Sequence, residues 1–149
     1  MENYLSELYE RDLLKLKTEI ESFKDEADIW KTIEGINNPA GVLTKHLLGS
    51  VNNFIGAIIG KTGYIRNRER EFYQEIEPRE KLISKIEATI RVVKNSLQTV
   101  DQVKLDEIYP IEFLGQKSTV FYLTSFFGHF NYHLGQINYL RRILEPGKN

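Results

Sequence analysis

The three histidines of this 149-residue chain can meet at one cation: His129 and His133 stand four apart, and His46 lies on a separate segment. In an α-helix four residues advance about 400°, so the i and i+4 side chains overlie one another about 6 Å apart along the axis. Both imidazoles then reach the same ion. A third imidazole from a neighbouring helix completes a three-nitrogen face and leaves a coordination position for water or substrate, which distinguishes an open site from a closed structural one. The competing use of each histidine is a packed, hydrogen-bonded core imidazole.

Neighbouring residues narrow the chemistry. A ferritin-like di-iron bundle needs Glu three residues before His on two helices, and here Leu43, Phe126 and Phe130 hold those places. A zincin helix needs Glu directly after its first histidine, and Phe130 follows His129. Three neutral imidazoles leave the ion's charge uncompensated, so a bound thiol or water loses its proton more readily. Zinc, nickel, cobalt and ferrous iron all suit imidazole, and zinc or nickel is the expected metal.

Around the histidines, Gln136 lies three residues after His133 and seven after His129, where its amide either bonds a water or substrate at the metal or serves as a core amide. Asn53, seven residues after His46, is the corresponding candidate on the other segment, beside Ser50. Tyr132 points about 100° away from His133 and is expected to pack. Arg66 and Arg68, in a run that also holds Arg70, either grip the carboxylate of a thiol cofactor or substrate, or form local ion pairs on a solvated loop.

These residues need helices to position them. Leu5, Tyr9, Leu13, Leu16, Ile20 and Phe23 recur at steps of four and three and predict a first helix. A second starts at Asn38 or Pro39 and runs past His46 to Ile59, with Gly60 and Gly63 available to end it. Residues 64–77 are charge-rich without helical periodicity and read as a long crossover. Pro78 opens a third helix striped by Leu82, Ile86, Ile90, Val93, Leu97 and Val100. Residues 103–117 form a second crossover with short extended pieces, and Ser118 caps a fourth helix that Pro146-Gly147 stops. The expected fold is an all-α four-helix bundle in one domain over 1–149.

Lys+Arg 20 against Asp+Glu 21 gives a net charge of -1, which supplies no global field to hold a phosphate backbone, so nucleic acid is not expected as a partner. Without cysteine there are no disulfides, thiolate metal sites or cysteine nucleophile. The start Met1-Glu2-Asn3-Tyr4 is polar, and Phe54 to Ile59 is far too short to span a bilayer, so neither a signal peptide nor a membrane partner is expected.

The stretch His129-Phe130-Asn131-Tyr132-His133-Leu134-Gly135-Gln136-Ile137 resembles the fourth helix of the DinB/YfiT-like superfamily. Asn37-Asn38-Pro39-Ala40-Gly41-Val42-Leu43, followed by His46-Leu47, is similar to the segment that carries that superfamily's first metal histidine. The resemblance implies an up-down-down-up bundle with a divalent metal on His46, His129 and His133, in a homodimer and in a bacterial cytoplasm. It also implies a metal-dependent enzyme that activates a bound low-molecular-weight thiol for transfer to a small electrophile. The alternatives are a hydrolase acting through water and a non-catalytic metal-binding or dimerisation bundle.

Overall fold

The stripe Leu5, Tyr9, Leu13, Leu16, Ile20 and Phe23 is buried along its whole length in the computed structural model, which describes residues 2–147. Met1, Lys148 and Asn149, at the ends of the single domain expected over 1–149, lie outside the described residues. The stripe forms helix α1, Glu2–Ser22. Its buried Asp12 is held by the Arg11 guanidinium and by Asn131 Nδ2, which donates to Asp12 Oδ2 at 2.9 Å.

Helix α2, Ala40–Val51, begins directly after Pro39 and is apolar almost all round, which suits a helix buried on every side. All its residues but Lys45 are buried. It continues as a wider π-helical segment, Asn52–Ala57, in which Ile58 N–H reaches back to the Asn53 carbonyl at 3.1 Å. Asn52 Nδ2 anchors this change of pitch by donating to the Leu48 carbonyl and to Thr89 Oγ1.

The first crossover contains a one-turn helix, α3, Arg68–Glu71, where no helix was expected. A single turn has no room for an apolar repeat; this one is held by Asn67, whose side chain accepts from Arg70 N–H. Helix α4, Arg79–Leu97, follows Pro78 and buries Leu82, Ile86, Val93 and Leu97 as its stripe predicts. The second crossover holds another short helix, α5, Gln102–Asp106, capped by Asp101. Its extended pieces reduce to one antiparallel bridge between Ile108 and Ser118.

Helix α6, Thr119–Leu144, starts at the expected Ser118 cap. At its far end the buried Glu145 carboxylate accepts the backbone N–H groups of Lys24 and Asp25, tying the end of α6 to the end of α1. Helices α1 and α2 each pack against both α4 and α6, so the four long helices share one hydrophobic core. The chain is all-α among the described residues, and none of its helices is long and apolar enough to cross a membrane.

Candidate metal centre

On α6 the residues Phe126, Phe130, Leu134 and Ile137 fill the core, which leaves His129 and His133 on the flank of that stripe beside α2. From α2, the buried His46 faces them. His46 Nε2 lies 3.4 Å from His129 Nε2, and His133 Nε2 lies 3.1 Å from the same atom. One ligand atom from each of the three falls within 4.8 Å of the others. Ligands about 2.0–2.1 Å from a tetrahedral ion stand about 3.3–3.4 Å apart, close to the separations of His129 Nε2 from the other two nitrogens. The three-histidine group could therefore bind a metal.

The outer nitrogens fix which lone pairs point inward. His46 Nδ1 donates to Glu71 Oε1 at 3.1 Å, and His133 Nδ1 donates to Gln136 Oε1 at 2.6 Å. Both rings thus carry their proton on Nδ1 and turn a bare Nε2 toward His129. His129 Nε2 has at most one proton to offer two acceptors. A cation at the centre satisfies all three nitrogens at once, and this is the sense in which the donor set fits a metal.

Electrostatics point the same way. His129 is pushed down to about 4 by desolvation, then by the His133 and His46 rings and the Arg66 and Arg68 cations. His133 is also lowered, chiefly by desolvation, with the Gln136 bond working against it. Near neutral pH His129 is therefore a neutral imidazole, so a metal does not compete with a second proton on that ring.

Behind His46 stands Glu71, which the sequence reading did not single out. Its carboxylate is gripped from the other side by Arg66, with Nε to Oε2 at 2.8 Å and Nη2 to Oε1 at 2.9 Å. Burial alone would raise the Glu71 carboxyl, but the His46 and Arg66 hydrogen bonds and the Arg66 charge outweigh it and hold it below its usual value. Glu71 fits because the helix wall opposite it is bare: a Cβ on Gly49 would come within 2.5 Å of Glu71 Cδ. A glycine inside a buried helix, three residues after His46, was the one sequence signal of this close approach.

The other expected site residues fall as follows. Gln136 orients His133 through its oxygen, which leaves its amide N–H groups for a water or substrate. Asn53 is half-buried in the π-helical segment and makes no hydrogen bond to the histidines among the described residues. Arg66 forms a local ion pair, the alternative to gripping a ligand's carboxylate, but with the buried Glu71 rather than on a solvated loop. Arg68 is exposed and lies over the Phe72 ring, 5.3 Å from its centroid. Tyr132, expected to pack, is 66% exposed and sets its ring against His133.

No curated protein and no solved structure matches the chain. A family model matches it over residues 2–148, nearly its full length, and the chain belongs to that family, described as protein of unknown function DUF1572.

Proposed function

We propose that the chain is a metal-dependent enzyme of the DinB/YfiT-like kind, an up-down-down-up four-helix bundle in which His46, His129 and His133 hold a zinc or nickel ion. Its reaction transfers a low-molecular-weight thiol to a small electrophile. The observation that carries this reading is the convergence of three Nε2 atoms, two with tautomers set by Glu71 and Gln136, on a face that is open at the exposed His129.

When bound, the cation supplies the positive charge that brings a thiol, ordinarily near pKa 8.5, to its thiolate at neutral pH. The chain's residues do the rest. Glu71 and Gln136 hold the imidazoles in place, and the thiol's proton leaves to solvent on the open His129 side. The sulfur lone pair forms the new S–C bond while the leaving group departs with its bonding pair. The one carboxylate bonded to a histidine among the described residues, Glu71, is already held by Arg66 and His46 and is not a spare base, which favours a thiol over water as nucleophile.

The test is metal content of the purified protein together with conjugation of glutathione or cysteine to 1-chloro-2,4-dinitrobenzene. The expected outcome is about one equivalent of metal and turnover that chelator abolishes and the ion restores, both lost in the His129→Ala/His133→Ala variant. Full metal binding by that variant would sink the ligand assignment. Thiol-independent ester hydrolysis would replace transfer with the hydrolase reading, and metal binding without either turnover would overturn catalysis.

A further inference from the structure

Two histidines of the centre have an exposed aromatic ring close by. Phe72, 36% exposed, lies with its ring centroid 4.9 Å from that of His46. Tyr132, 66% exposed, stands 5.3 Å from the His133 ring. On the His129 side, Phe54 and Phe126 stack at 4.2 Å and line a small void together with His129. Over that pair sits Phe113, 56% exposed, 5.6 Å from Phe54 and 5.9 Å from Phe126. Rings held open to water lose the free energy that covering them would supply, and aromatic partners add to that gain when they stack or meet edge to face.

The charges at this rim are one-sided. Arg66 bonds Glu71, which it neutralises, and also lies over the Phe54 ring, 5.5 Å from its centroid. Arg68 remains, exposed and lying over the Phe72 ring. A cationic ligand would meet the Arg68 guanidinium, whereas a flat neutral or anionic ring would meet aromatic faces and a stacking cation.

We infer that the metal centre receives a planar aromatic molecule, neutral or anionic, seated against Phe72 and Tyr132. This rests on the three-histidine metal reading and specifies what reaches it. With its ring centroid 4.9 Å from that of His46, Phe72 stands no more than about 8 Å from an ion held about 2 Å from His46 Nε2, within reach of a ring attached directly to a metal-binding group.

The experiment compares two ligands that chelate an open metal face in the same way, benzohydroxamate and acetohydroxamate. Titration calorimetry measures both on the zinc-loaded protein. Benzohydroxamate is expected to bind about tenfold more tightly, since one to two ring contacts are worth about 1.4 kcal/mol. In the Phe72→Ala/Tyr132→Ala variant this preference should fall below about threefold, and in Tyr139→Ala, an exposed tyrosine of α6 with no contact to a histidine, it should persist. Both altered side chains are surface-exposed, and circular dichroism confirms folding. Failure of the wild type to take up zinc overturns the metal reading and this inference with it. Zinc uptake with equal binding of the two hydroxamates, with no binding of either, or with a preference that the double variant retains, overturns the aromatic inference alone.

Discussion

Replacing Gly49 with alanine separates the role of Glu71 from the stability of the fold. The added Cβ would overlap the Glu71 carboxylate, whose Cδ would be 2.5 Å away. The obstruction is the far end of a flexible side chain, and that side chain also borders a cleft of about 490 Å³ between α2, α4 and the first crossover. The carboxylate therefore has solvated space to move into, so the steric cost is small. What it loses is specific: the His46 Nδ1 proton at 3.1 Å and both bonds from Arg66. Loss of such an orienting partner weakens metal binding by about 10–100-fold, or about 1.4–2.7 kcal/mol. Against this, alanine for glycine inside a helix adds up to about 1 kcal/mol of stability. The expectation is a metal-free protein that still unfolds cooperatively, destabilised by about 1–3 kcal/mol through the lost bonds at His46 and Arg66, and that binds zinc at least about tenfold more weakly in competition with a chromophoric chelator. Glu71→Gln keeps an acceptor for His46 without its charge and should fall between the two. Zinc affinity in Gly49→Ala equal to wild type would refute the claim that Glu71 orients His46.

Two further outcomes follow from the same geometry. Gln136→Leu removes the acceptor of the His133 Nδ1 proton and should weaken zinc binding by up to about tenfold, whereas Gln136→Glu should tighten it; weaker binding by the glutamate variant would count against an orienting role. Because folded His129 is pushed down to about 4, below the ordinary value of about 6.5, the unfolded chain takes up that proton first. Stability of the metal-free protein should therefore be full above about pH 6.5 and fall as pH drops toward 4, by less in His129→Asn; denaturant midpoints that stay level across that window would refute the shift.

The long helices were legible because burial imposes a period. Leu5 through Phe23 and Leu82 through Val100 repeat every three or four residues, and all but the half-buried Ile90 are buried in the fold. The histidine trio was legible for the same reason: the i,i+4 pair is a property of one helix, and only one other histidine was left to face it. Short helices were not. The turn Arg68–Glu71 and the five residues Gln102–Asp106 are set by single caps, Asn67 and Asp101, and a cap without a following stripe looks like any polar loop.

Glu71 was illegible for a deeper reason. It meets His46 across twenty-five positions, and nothing local in a charge-rich run distinguishes this carboxylate from its exposed neighbours Glu69 and Glu75. The difference is made by Arg66 and by the bare wall at Gly49, which together let one carboxylate be buried while the others stay in water. The centre therefore divides between two kinds of sequence information. The ligands sit on helices whose burial pattern is costly to change, whereas Arg66, Glu71, Phe72 and Phe113 sit on the crossovers or their short turn. A substitution in residues 64–77 can thus alter how His46 is oriented and what reaches the open face while leaving the packed helices that hold the three imidazoles in place.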